Sequence, residues 1–187
     1  MRRPALARYS HRGERTIHMF RTLVFVCALA VAAGARLAAT SFEPVTFDDL
    51  VTQSDVIFVG DVVDVHPYIL QVRDRTIVKT RVTFRVDDPL YGTTSLVEVF
   101  DFLGGETPEL GMTVAGMPTF TVGDRRVVFA RRDRSINPIV GFTQGLMKVA
   151  PDVNGIDRVT TLEGLPVARL SDFRARINGG LIEARKK

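Results

Sequence analysis

The residues best suited to acid–base chemistry cluster near one predicted strand. Asp61, Asp64 and His66 lie close together in the sequence, and Asp101 follows further along the chain. Carboxylates and imidazoles are the usual general acids and bases of hydrolases. A regular strand would place Asp64 and His66 on one face and Asp61 on the other. A hydrolase using these groups is therefore one hypothesis, which this alternation weakens unless Gly60 and Asp61 form a bulge.

Ligands for metals and nucleophiles for catalysis are scarce in this sequence. Cys27 is the only cysteine, and His66 is the only histidine after residue 39. Zinc sites need three or four protein ligands, so we expect no metal, no cofactor and no assigned catalytic residue. Residues 152–157 resemble a calcium loop but lack its final acidic ligand. We interpret them as a hairpin turn.

The Gly-rich segment 103–120 is the best candidate for a binding surface. It lacks the Gly-Lys-Ser/Thr of a phosphate-binding loop and is longer than an ordinary connection. Long loops on a rigid scaffold often carry recognition. We predict a binding surface here, near the acids Asp101 and Glu106, with a purely structural crossover as the alternative.

The basic residues at 131–134 are the other charged cluster, with the sequence Arg-Arg-Asp-Arg. Binding of single-stranded nucleic acid combines such a cluster with exposed aromatic rings. Only Tyr68, Tyr91 and Phe100 are candidates for those rings. We interpret the cluster as a solvated turn and expect no nucleic-acid partner.

Residues 1–39 are typical of a secretory signal peptide. An arginine-rich segment precedes an apolar run at 23–33, and small residues follow up to Ala39. We predict cleavage after Ala39, with Ala35 as the alternative site and Met19 as a candidate start of translation. An uncleaved membrane anchor is the competing interpretation, although the run is short for a span.

Removal of the leader would change the charge of the protein. The whole chain has a net charge of +4, but residues 40–187 carry 18 basic and 20 acidic side chains. The exported part therefore has no global positive field that would attract nucleic acid. It also has no cysteine, so its stability depends on its core.

Alternating apolar and polar residues predict a chain rich in β-strands. The clearest alternation runs over 77–87, with apolar residues on one face and charged residues on the other. Gly60 suggests a bulge within the first strand, and Pro67 is expected to end that strand. Further strands are predicted at 56–65, 96–102, 126–130, 145–149 and 158–161.

One short helix is predicted on each side of the strands. Thr46 is a suitable N-cap for a helix at 46–51. Ser171 is expected to cap a second helix that ends at Gly179 and Gly180. We predict a mainly β fold, a small OB-like antiparallel β-barrel over 40–170, with a C-terminal helix and tail at 171–187. A β-sandwich is the alternative.

Three segments carry a resemblance to a known group of proteins. They read SDVIFVGDV at 54–62, RVTFRVD followed by YG at 81–92, and FTVGDRRVVFA at 120–130, with GMPTF at 116–120. This pattern resembles bacterial secreted OB-like domains, which are distantly similar to the tissue-inhibitor-of-metalloproteinase and netrin-like module. In those animal inhibitors an N-terminal cysteine binds the protease zinc, and residues 40–187 contain no cysteine.

These observations lead to two functional hypotheses. The first is an exported, non-enzymatic binding module, protease-inhibitor-like in fold only, that contacts a protein or envelope component through segment 103–120. It is expected to be monomeric, secreted or periplasmic, without a membrane span after signal cleavage. The second is a hydrolase that uses acidic residues and His66.

Overall fold

The computed structural model describes residues 43–186. The predicted leader at 1–39, its cleavage site and the start at Met19 lie outside the described residues. Within residues 43–186 the chain is mainly β, as predicted, with a seven-stranded and a two-stranded antiparallel sheet. A helix precedes the strands and another follows them.

The bounds of the elements agree with most of the predicted segments. Helix α1 spans Phe47–Thr52, and helix α2 spans Leu170–Ala184. The strands are β1 Val56–Val72, β2 Arg75–Tyr91, β3 Val97–Leu103, β4 Gly105–Glu106, β5 Gly111–Met112, β6 Arg125–Ala130, β7 Leu146–Pro151, β8 Asp157–Thr160 and β9 Pro166–Arg169. Strands β4, β5 and β9 were not predicted from the sequence.

The large sheet is open in its strand order. Its strands lie in the order β3-β2-β1-β6-β7-β8-β9, and β3 and β9 at the two edges do not pair within the described residues. The segment 131–139 nevertheless crosses from β6 to β3, where the N–H of Leu103 donates to the carbonyl of Ile136 at 2.8 Å. The closed barrel that the sequence predicted is therefore not found within residues 43–186.

Both faces of the sheet are covered by apolar side chains. On one face, Ile57 and Val59 of β1 pack with residues of the helices, among them Phe173. On the other face, Phe58 packs with Phe84, whose rings meet edge to face at 5.6 Å. A strand buried on both faces reads as a continuous apolar run, which explains the sequence at the start of β1.

Strand β1 confirms the bulge predicted at Gly60. Its pairing with β2 shifts between Val59 and Gly60, and a Cβ on Gly60 would lie 2.4 Å from the carbonyl oxygen of Arg85. Pro67 does not end the strand, contrary to the prediction. The pairing of β1 with β6 stops at Asp61, so beyond that point one side of β1 has no sheet hydrogen bonds for a proline to interrupt.

The two helices pack together on one face of the sheet. Thr46 caps α1 as predicted, because its hydroxyl accepts the N–H of Asp49 at 3.1 Å. Both predicted ends of helix α2 are wrong. Ser171 does not cap it, because the helix begins at Leu170 with Arg169 as its N-cap, and it does not stop at Gly179 and Gly180. Its apolar repeat continues to Leu181, which packs against the core. Within residues 43–186, neither helix is long and apolar enough to cross a membrane.

Candidate functional site

The Gly-rich segment 103–120 leaves β3 and folds back against β1 and β2. Its short strands β4 and β5 pair Gly105 with Met112. The turn between them is fixed by Thr107, whose N–H and hydroxyl both donate to the carbonyl of Leu110, at 2.9 and 3.0 Å. The segment is thus an ordered structure fastened to the sheet.

Two glycines allow this segment to lie close to β2. Gly104 and Gly105 have φ values of 99° and 138°, which side chains other than glycine rarely adopt. A Cβ on Gly105 would lie 2.3 Å from Oγ1 of Thr80. That hydroxyl donates to the carbonyl of Gly104 at 2.8 Å. Any side chain at position 105 would therefore push the segment away from β2.

A cavity of about 630 Å³ lies between this segment and the sheet, and we call it the groove. Phe102 and Phe120 form part of its lining, with ring centroids 4.7 Å apart. The groove is lined by Val65, Thr80 and residues 102–106, 111–114 and 117–120. The segment predicted as a binding surface therefore supplies most of the lining.

The groove is mainly apolar, and among the described residues that line it Glu106 is the one that carries a charge. Met112 and Met117 contribute flexible thioether side chains, which adapt to differently shaped apolar groups. Binding sites typically combine an apolar lining of this size with a few polar groups. The lining suits an apolar side chain better than an anion.

The structure corrects the expected facing of Asp61. The pairing of β1 with β2 shifts again between Val62 and Asp64, leaving Val63 as an extra residue. The shift brings Asp61 onto the same face of the sheet as Asp64 and His66. The expectation that alternation separates them is wrong.

These three side chains still do not form a catalytic site. They follow one another along β1, where five residues span about 16 Å. Asp61 is bound to Arg85 at 2.5 Å. Within residues 43–186, no hydrogen bond joins Asp61, Asp64 and His66 to one another, and none of them lines the groove.

Asp101 lies across the sheet from His66, with Arg81 between them. Arg81 donates two hydrogen bonds to the Asp101 carboxylate, at 3.0 and 3.2 Å. Burial raises the pKa of Asp101, but the hydrogen bonds from Arg81 and Tyr68 outweigh burial and lower it below its ordinary value. Such a carboxylate stays ionised and is poorly suited to act as a general acid at neutral pH.

The three candidate aromatic residues have different environments. The guanidinium of Arg81 lies over the ring of Tyr68, 5.2 Å from its centroid. Tyr91 is partly exposed. The sequence suggested that Phe100 is an exposed ring. That prediction is wrong, because Phe100 is buried and stacks on Phe58. The aromatic residues therefore form no exposed stacking platform together.

Two arginines of the basic cluster are held in ion pairs. Arg131 binds Asp133 through two hydrogen bonds of 3.0 and 2.7 Å. Arg132 donates two hydrogen bonds of 2.8 Å to Glu98, whose side chain is 4% exposed. Residues 132–134 are exposed, as expected for a solvated turn, and Arg132 in addition joins this segment to β3.

Residues 152–157 form the predicted hairpin turn. One Asp152 oxygen accepts the N–H groups of Asn154 and Ile156, at 2.9 and 3.0 Å, and the other accepts Arg158 at 2.9 Å. The Ile156 N–H above all lowers the pKa of Asp152. Within residues 43–186, no three His, Cys, Asp or Glu side chains are grouped so that they could hold a metal ion.

Sequence reasoning missed the contribution of the sheet to the groove. Val65 and Thr80 lie on β1 and β2 and were assigned to strands without a binding role. One signal was present, since Thr80 interrupts the otherwise apolar face of β2. A hydroxyl on an apolar face needs a partner, which here is the carbonyl of Gly104.

Comparison with known proteins adds no relative to this description. No family model matches the sequence, and no curated protein or solved structure shows significant similarity to it.

Proposed function

We propose that this chain is an exported, non-enzymatic binding module whose groove receives an apolar side chain from a protein partner. One observation carries the proposal. The segment 103–120, chosen from sequence as a binding surface, supplies most of the lining of a mainly apolar groove of about 630 Å³. The leader-like sequence at 1–39 supports a partner among secreted or envelope proteins.

We also propose an OB-like relationship for the fold. It is supported by the two long, bulged strands β1 and β2 and by the segment 131–139, which links β6 to β3. The similarity to the tissue-inhibitor and netrin-like module rests on the sequence pattern. Inhibition through a zinc-binding cysteine is not part of the proposal, because residues 40–187 contain no cysteine.

The hydrolase hypothesis gains no support from the geometry. Asp61 and Asp101 are each engaged by an arginine, and His66 lies beyond hydrogen-bond contact with either. Of the described residues that line the groove, Glu106 is the one with an ionisable side chain. A binding role is therefore preferred.

A capture experiment with matched variants tests the proposal. The full chain is expressed, and the form delivered outside the cytoplasm is purified and used as bait for envelope and secreted proteins, with mass-spectrometric detection. Met117→Arg places a charge in the groove. Val122→Arg places the same charge on a side chain that is exposed and outside the groove.

We expect at least one protein to be enriched by the wild type and by Val122→Arg, and to be lost at least tenfold with Met117→Arg. Thermal unfolding of both variants controls for misfolding. Enrichment that is unaffected by Met117→Arg, or equally reduced by Val122→Arg, would contradict binding through the groove.

A further inference from the structure

Strands β1 and β2 extend beyond the rest of the sheet as a two-stranded arm, residues 69–78. The pairing of β1 with β6 ends at Asp61, and the pairing of β2 with β3 ends at Lys79. From the pair Ile69–Val78 to the pair Val72–Arg75, no third strand of the sheet lies beside the arm. These four residues add about 13 Å to each strand.

The arm exposes aliphatic side chains to solvent. Ile69, Leu70 and Val72 are 40%, 37% and 44% exposed. Leu70 pairs with Ile77 across the arm, so both lie on one face. A two-stranded ribbon is marginally stable in water by itself, and exposed aliphatic groups at its tip gain free energy if another surface covers them.

The arm also carries a net positive charge. Residues 69–78 hold Arg73 and Arg75 against the single acid Asp74, whereas the rest of 40–187 carries 16 basic and 19 acidic side chains. Arg73 and Arg75 at the tip form no ion pair within residues 43–186. Arg73 has a φ of 53°, in a turn position where glycine is normally preferred.

We propose that the tip of the arm docks on an anionic phospholipid surface. Leu70 and Val72 enter the boundary between headgroups and acyl chains, and the guanidinium groups of Arg73 and Arg75 bind phosphate oxygens. A protein with an acidic remainder approaches an anionic surface favourably only through such a basic projection. Nucleic acid fits less well, because the tip presents aliphatic groups and no aromatic ring for stacking.

This inference concerns a surface other than the groove, and it is tested without the groove's partner. The form of the protein delivered outside the cytoplasm is mixed with vesicles of phosphatidylglycerol and phosphatidylethanolamine, or of phosphatidylcholine alone. Bound protein is measured by flotation at low and high salt. Arg73→Gln with Arg75→Gln is compared with the control Arg134→Gln with Arg169→Gln, which removes the same charge from exposed sites elsewhere.

A second pair of variants tests the apolar contribution. Leu70→Ser with Val72→Ser removes the aliphatic tip, and Val153→Ser with Leu165→Ser removes two exposed aliphatic side chains from other turns. Circular dichroism verifies that all four proteins are folded.

We expect binding to the anionic vesicles that falls steeply with salt. Removing both tip arginines should weaken it by at least tenfold, since each basic side chain near such a surface contributes roughly a fivefold factor. Removing the aliphatic tip should also weaken it by at least tenfold, because the apolar burial of Leu70 and Val72 is lost. The control variants should weaken it by less than twofold. Equal binding to phosphatidylcholine, absence of wild-type binding, or equal effects of arm and control variants would overturn the proposal. So would salt-sensitive binding of the arm to single-stranded DNA, or dimerisation through the arm, without vesicle binding.

Discussion

The Glu98 carboxylate is buried, and both of its oxygens accept hydrogen bonds from Arg132. Replacing it by Gln removes the carboxylate that is hydrogen-bonded to the Arg132 guanidinium and leaves only the weaker attraction of Asp55, although this arginine is half exposed and can be rehydrated. We expect Glu98→Gln to lower the free energy of unfolding by about 1–3 kcal/mol. Urea unfolding measures the change. Glu109→Gln, at an exposed position, is the control and should change stability by less than about 0.5 kcal/mol.

Protonation of the Glu98 and Asp101 carboxylates determines how the stability of the fold depends on pH. Burial raises the pKa of Glu98, but hydrogen bonds from Arg132 and Thr93 outweigh it, so the pKa lies below the ordinary value. The pKa of Asp101 is lowered in the same way, by hydrogen bonds that outweigh burial. A lowered carboxyl pKa contributes stability that is fully present above the unfolded-state pKa, about 4, and is lost as the pH falls through the folded-state value.

We therefore expect unfolding free energy to decrease from about pH 5 downwards, as the unfolded chain takes up more protons than the folded one. In Glu98→Gln one of these groups is absent, so the decrease should be shallower. Urea unfolding between pH 3 and pH 7 tests this at the residue level. Identical pH slopes for wild type and variant would show that the Glu98–Arg132 pair does not stabilise the fold.

Gly105 determines how closely the groove segment approaches β2. A Cβ there would meet Oγ1 of Thr80 at 2.3 Å, on a backbone with a φ of 138°. We expect Gly105→Ala to destabilise the protein by about 1–3 kcal/mol and to weaken partner binding. Gly111→Ala, in the paired strand β5 with open space around the new Cβ, should have little effect. Equal unfolding midpoints for the two variants would contradict this arrangement.

At the level of elements, helix α2 gives a direct test of the described fold. The structure continues the helix through Gly179, where an added Cβ meets no atom within 4 Å. Alanine is favoured over glycine in a helix interior by roughly 0.5–1 kcal/mol. We expect Gly179→Ala to raise the free energy of unfolding by about that amount. A loss of stability would indicate that the helix ends before Gly179.

The strands with clear alternation were predictable from sequence, and those governed by tertiary context were not. The residues of β2 alternate cleanly because one face is buried and the other is wet. The prediction that Pro67 ends β1 was wrong, because a proline interrupts a strand only where that strand pairs on both sides. The prediction that α2 ends at Gly179 and Gly180 was wrong, because packing of Leu181 outweighs the low helix propensity of glycine.

The candidate site was predictable only in part. Segment 103–120 was visible from its length and glycines. Asp61 and Asp64 lie on the same face of the sheet because Val63 is an extra residue in β1, which no local sequence pattern reveals. Phe100 alternates correctly as a strand residue, but its burial depends on stacking against Phe58, which is far away in sequence.

For the whole molecule, the groove and the arm are neighbouring features. Val65 and Thr80 line the groove at the base of the arm, and a Cβ on Gly105 would lie 3.4 Å from Pro67. An arm docked on a membrane would therefore hold the groove close to the lipid surface. This arrangement fits a module that meets its partner at the cell envelope.

Photo-crosslinking in living cells tests the central proposal most directly. A photoreactive amino acid replaces Met117 inside the groove or Val122 outside it, in the full chain, and crosslinked products are recovered from the fractions outside the cytoplasm. The proposal predicts a discrete adduct from position 117 and none from position 122. Export of the protein without an adduct from position 117, or the same adduct from both positions, would contradict it.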